Sequence, residues 1–125
     1  MSVKIAIAGK GGTGKTTLAA LLCRGLLDLK IKPLLAVDAD PNSCLPEKLG
    51  VTVAESKTIG HLRETLRAEP DKVPQGISKS EWVERLINEE VTEALGFDMI
   101  VMGRQEGPNC YCYINNLLRN CVDKI

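Results

Sequence analysis

The sequence predicts an α/β fold, a parallel sheet flanked by helices, and three observations carry that prediction. Residues 3–9, "VKIAIAG", are an apolar, partly β-branched run that ends in glycine. A glycine-rich loop follows and opens a leucine-rich stretch with helical spacing. Residues 34–40, "LLAVDAD", are a second apolar run that ends in acids. Strand, glycine loop, helix and strand in this order form a right-handed crossover between parallel strands.

Taken in order, 3–9 is the first buried strand. Leu18, Leu21, Leu22, Leu26 and Leu29 place a helix over 14–30, and Pro33 ends the connection to the second strand. Residues 41–50 form a loop with one helical turn, and 61–69 form a short helix. Ser78-Lys79-Ser80-Glu81 fits a capping box and opens a helix carrying Trp82, Leu86, Val91 and Leu95, which Gly96 ends. Residues 97–103, "FDMIVMG", are a third strand. Ile114, Leu117, Leu118, Cys121, Val122 and Ile125 recur at three and four, a last helix that meets the chain end without a capping signal. Three strands make a thin α/β sheet. The expectation is the N-terminal part of a single domain over 1–125, cut after the third or fourth strand-helix unit, with an uncovered sheet edge and poor solubility alone.

Composition narrows the function. Sixteen basic and sixteen acidic residues cancel, and aromatics are 3% of the 125 residues. That excludes a nucleic-acid or membrane-surface binder working by bulk charge, and leaves no base-stacking platform. No run reaches transmembrane length and 3–9 is too short for a secretory signal, so a cytoplasmic setting is expected. The five cysteines, Cys23, Cys44, Cys110, Cys112 and Cys121, then read as reduced thiols. Cys23 and Cys121 fall on apolar helix faces and read as core. Cys44 reads as a local thiol, and the single histidine, His61, as a surface residue.

"GKGGTGKT" (9–16) satisfies two patterns. Gly9, Gly11 and Gly14 fit G-x-G-x-x-G, a weak dinucleotide signal. Gly9, Gly14, Lys15 and Thr16 fit G-x-x-x-x-G-K-[ST], the P-loop of nucleoside triphosphatases. The lysine and threonine after the last glycine decide between them. Backbone N–H groups from Gly9, Lys10, Gly11, Gly12, Thr13, Gly14, Lys15, Thr16 and Thr17 would wrap phosphates. Lys15 would neutralise β/γ oxygens, and the Thr16 hydroxyl would ligate Mg²⁺ beside ATP. Asp38 and Asp40 stand at the carboxyl end of the second strand, where α/β sheets place their ligands.

Cys110-Tyr111-Cys112 follows Gly107-Pro108. In an extended segment residues two apart face one side, so both thiols can meet one ion. Two thiolates are half of a closed metal site, and a two-fold dimer supplies the other half from the same residues. Nickel, zinc or an iron–sulfur centre all suit such ligands. Arg104 and Glu106 stand beside this loop or belong to a solvated surface.

Lys10, directly after the first glycine, is not required by a phosphate cradle. It makes "KGGTGKT" similar to the deviant Walker A motif of MinD-type, ParA-type and nitrogenase iron protein ATPases. With "VDADPNSCL" and "MGRQEGPNCYCYINNLLR" in this order, the chain resembles the CooC-type accessory ATPases of carbon monoxide dehydrogenase, from Val3 to Arg119. That resemblance implies an ATP-dependent factor for nickel insertion, acting as a homodimer with carbon monoxide dehydrogenase as client. It implies that Lys10 reaches the partner's nucleotide, that Asp40 positions the attacking water with Lys10 and Lys15 completing the catalytic set, and that Asp38 lies near Mg²⁺. It further implies Ni²⁺ (or Zn²⁺) on Cys110 and Cys112. Family members are longer, continuing to a further aspartate-bearing strand and an adenine site that support magnesium and ATP binding.

Overall fold

A computed structural model describes residues 3–103 and, beyond them, Asn116, Arg119, Asn120 and Asp123. We number its elements α1 (Lys15–Asp28), β1 (Leu35–Asp38), α2 (Leu45–Lys48), α3 (Ile59–Ala68), α4 (Lys79–Glu89), β2 (Thr92–Glu93) and β3 (Asp98–Val101), with a 3₁₀ turn at Glu55–Lys57. The three strands form one sheet in the order β1-β3-β2. β1 runs parallel to β3, with Asp38 opposite Val101, and β2 runs antiparallel to β3.

β3 explains the layering. Its side chains alternate faces, as a period of two requires. Ile100 and Met102 pack with Ile59, Leu62, Val83 and Ile87 of α3 and α4. Met99 and Val101 pack on the other side with Ala36, Leu45 and Phe97, against which Ala19, Ala20, Cys23 and Leu27 of α1 rest. The result is helices on both faces of a small sheet, the layering expected of an α/β fold.

Local signals place the helix starts. Ser78 accepts from the Glu81 N–H while the Glu81 carboxylate accepts from the Ser78 N–H, so the capping box forms. Thr58 caps α3 by accepting from the His61 N–H, and His61 is exposed, as expected.

Three expectations are corrected. Residues 3–9 are not a buried strand: they form no ladder with other described residues, and Val3 is 83% and Ile5 60% exposed. β3 is paired on both sides, by β1 and by β2, and 3–9 joins neither of the outer strands among the described residues. The helix after Ser78 ends at Glu89 rather than Gly96. Thr92 and Glu93 pair with β3, and the Ala94 N–H donates to Phe97 O across a turn in which Gly96 has φ 89°. Val91 and Leu95 therefore lie off the helix, and α4 buries Val83 and Ile87 rather than Trp82. The sheet is accordingly mixed, not wholly parallel. The last predicted helix, with Cys121, lies mostly outside the described residues.

Candidate functional site

The glycine loop is built around its own backbone. Gly12 and Gly14 have φ of 79° and 86°, a region that side chains with a Cβ rarely enter. Gly14 is the N-cap of α1, and the Leu18 N–H donates to Gly14 O at 2.9 Å, the first bond of the helix. The N–H groups of Lys15, Thr16 and Thr17 precede that bond and have no helical acceptor by construction. They form a positive helix end suited to phosphate.

Two side-chain bonds close the loop. The Thr13 hydroxyl donates to Lys10 O at 2.7 Å, and the Lys15 ammonium donates to Gly9 O at 2.6 Å. A Cβ on Gly9 would meet Thr13 Oγ1 at 3.2 Å and Lys15 Cδ at 3.5 Å. The backbone at Gly9 thus leaves room only for Thr13 and Lys15 inside the curve. Lys15 is half-buried and turned onto the loop, whereas Lys10 is exposed. A triphosphate fits this donor set: a fixed ammonium, the α1 amide groups, and the Thr16 hydroxyl as a hard oxygen ligand for magnesium.

Asp38 is 4% exposed, and it organises the second loop. Its Oδ1 accepts the Asp40 N–H at 3.0 Å and its Oδ2 accepts the Leu45 N–H at 3.1 Å. Its carbonyl accepts the Met102 N–H at 2.8 Å, tying the loop to the end of β3. Asp40 repeats the motif one turn on: its Oδ1 accepts the Asn42 N–H at 2.9 Å and its carbonyl accepts the Ser43 N–H at 3.0 Å. The loop delivers Leu45 and α2 against α1, the helix that starts at Lys15. Sequence reading placed Asp38 at the strand end but did not foresee this backbone work; the Asp-x-Asp spacing was the available signal, since a carboxylate readily bonds an N–H two residues on. Asp38→Asn keeps one acceptor and turns an amide toward the other N–H. The expected cost is about 1–3 kcal/mol, read by urea denaturation, with faster amide exchange at Asp40 and Leu45. Unchanged exchange at both would contradict this role.

The described thiols are no metal centre. Burial pushes the Cys23 thiol pKa up, which disfavours a thiolate ligand. Cys44 is exposed and sits 3.6 Å from Asn42 O. Among the described residues no group of three or more His, Cys, Asp or Glu side chains could hold a metal ion. Cys110 and Cys112, with Arg104 and Glu106, lie outside the described residues. Also among the described residues, no helix is long and apolar enough to cross a membrane.

A glycine loop capping a helix, with a lysine folded onto it and aspartates at the carboxyl end of β1, defines a P-loop nucleotide-binding protein. Residues 4–109 match the CobQ/CobB/MinD/ParA nucleotide binding domain, and the chain belongs to that family. It is 46% identical over 123 residues to the uncharacterized ATP-binding protein MJ0685 of Methanocaldococcus jannaschii, covering 97% of this chain and 47% of the relative. The ATP-binding protein MJ0823 of the same organism is 34% identical over 125 residues, covering 96% and 48%. The carbon monoxide dehydrogenase accessory protein CooC of Rhodospirillum rubrum is 30% identical over 135 residues, covering 98% and 51%. The chain thus spans about half the length of the curated relatives it matches.

Proposed function

We propose that this chain is the nucleotide-binding part of an ATP-dependent metallochaperone that delivers nickel to carbon monoxide dehydrogenase. The observation that carries the reading is Cys110-Tyr111-Cys112 in a chain that aligns with an accessory protein of that enzyme over 98% of its length. The phosphates lie along Gly9–Thr17 with Lys15 on the β/γ oxygens. Thr16 and Asp38 would hold magnesium, which supplies charge neutralisation at the phosphates. Both Asp38 oxygens already accept an N–H, but each keeps a second lone pair. Asp40 orients the water that attacks the γ-phosphorus, releasing phosphate and leaving ADP. Lys10, exposed beside the loop, reaches the nucleotide of a second copy. Dimerisation brings two Cys110/Cys112 pairs to one axis, and four thiolates hold nickel as cargo.

Anaerobic titration of reduced protein with Ni²⁺, with mass followed by light scattering, tests this. Wild type and Cys110→Ser/Cys112→Ser are run side by side. The expected result is one metal per two chains, with metal and dimer mass both lost in the variant. Tight binding that survives the substitutions, or none at all, would overturn it. A brown bridging chromophore would instead mark an iron–sulfur electron donor. Serine substitutions without effect on nucleotide-dependent dimerisation would mark a metal-free ATPase switch of the MinD/ParA kind.

A further inference from the structure

Ser43 is held in a backbone conformation that its own side chain disfavours. Its φ is 48°, in the left-handed region. Among the described non-glycine residues Lys30 shares that region, with φ 56°, and Lys30 has a ready explanation. It lies just past the end of α1, where the Ile31 N–H donates to Leu26 O and the Lys30 N–H to Leu27 O, the pair of bonds that commonly closes a helix. Ser43 closes no helix. It stands between Asp40 and α2, in the loop that carries both sheet-end aspartates. Backbone strain kept at one residue of a functional loop calls for a compensating role.

The hydrogen bonds show what that role is. Asp40, Pro41, Asn42 and Ser43 make a turn closed by the Ser43 N–H on Asp40 O at 3.0 Å. Pro41 takes the second position, which its fixed φ suits, and the fourth position of such a turn favours glycine. Serine brings what glycine lacks: its hydroxyl donates to the same Asp40 carbonyl at 3.2 Å. With that carbonyl held by two donors from Ser43, the Asn42 N–H is presented to Asp40 Oδ1 at 2.9 Å. Oδ2 of Asp40 accepts no bond among the described residues, and Asp40 and Ser43 are both half-buried. The turn at Ser43 also brings the Leu45 N–H back to Asp38 Oδ2 at 3.1 Å, so the bonds of both acids pass through this one residue. We infer that Ser43 is a positioning residue for Asp40. Its strained backbone and its hydroxyl fix the turn so that one carboxylate oxygen is tied to the loop and the other is left to accept from water. For its effect on turnover, this rests on the reading of Asp40 as the residue that orients the attacking water. Ser43 itself acts only through Asp40.

Two substitutions separate the hydroxyl from the strain. Ser43→Ala removes the hydroxyl and keeps a Cβ at positive φ, whereas Ser43→Gly removes both. Three quantities are measured on wild type and both variants: the Asp40 χ1 rotamer from side-chain scalar couplings, the urea midpoint, and Mg²⁺-ATP turnover. Asp40 is expected to hold a single rotamer in wild type and to average over several in both variants. In both, kcat falls about tenfold while KM stays within about twofold, because a loosened orienting group costs rate and the glycine loop still holds the nucleotide. Stability divides the variants differently: Ser43→Gly has the higher urea midpoint, since glycine relieves the strain that alanine keeps. A purely structural role would make kcat follow the urea midpoint. That result, or a single Asp40 rotamer in both variants, would overturn the inference. Asp40→Asn with unchanged kcat, or wild type without turnover, would overturn instead the water-orienting role of Asp40. The rotamer measurement needs no turnover and decides in either case whether Ser43 positions Asp40.

Discussion

Lys15→Ala is expected to weaken binding of ATP and ADP by roughly 30- to 150-fold, equivalent to about 2–3 kcal/mol for a charged hydrogen-bond partner. The residue is half-buried and its ammonium is already held at the loop, 2.6 Å from Gly9 O. A bound phosphate therefore meets a charge that needs little further ordering. Titration calorimetry on both proteins reads the ratio of dissociation constants directly. An unchanged affinity would show that the nucleotide is not bound through this loop. Lys10→Ala supplies the contrast: its side chain is exposed and no part of the loop's internal bonding. It is expected to leave the affinity of a single chain nearly unchanged and to remove nucleotide-dependent dimerisation.

Ile87→Ala is expected to destabilise the fold by about 2–5 kcal/mol, the cost of lost burial plus the cavity left behind. Ile87 is fully buried among Ile59, Leu62, Val83, Ile100 and Met102, and it joins α4 to both α3 and β3. On a small domain that is a large part of the total. Leu95→Ala should move the urea midpoint little, because its side chain is almost fully exposed. The pair also tests the helix register. A helix stripe through Trp82, Leu86, Val91 and Leu95 would make Leu95 a core residue, whereas the structure assigns that place to Val83 and Ile87.

Why some elements were legible and others were not follows from the range of the forces involved. The glycine loop, the capping box at Ser78 and α1 were legible because each depends on residues a few positions apart. Gly14 needs only its own φ, Ser78 needs only Glu81, and a helix needs only its neighbours along the chain. β1 and β3 were legible for a similar reason, as short apolar runs bounded by glycine or acids. Residues 3–9 have the same local signature and are not in the sheet, because a strand exists only through a partner. Which segment arrives beside a strand edge is not recorded in local sequence. Thr92 and Glu93 pair with β3, just past the end of α4 at Glu89.

The candidate site divides along the same line. Read alone, the residues "GKGGTGKT" already dictate a phosphate-binding loop, since the glycines supply backbone angles and Lys15 and Thr16 supply the charge and hydroxyl. The work of Asp38 could not be read that way. Its carboxylate holds the N–H of Leu45, seven residues on, and its carbonyl holds the N–H of Met102 across the sheet. Chemistry carried within one loop is written in residue types and spacing. The assignment of a buried carboxylate to particular donors, and of an apolar run to a sheet edge or to an open face, depends on which distant segments arrive beside it, and that is settled only when the chain packs.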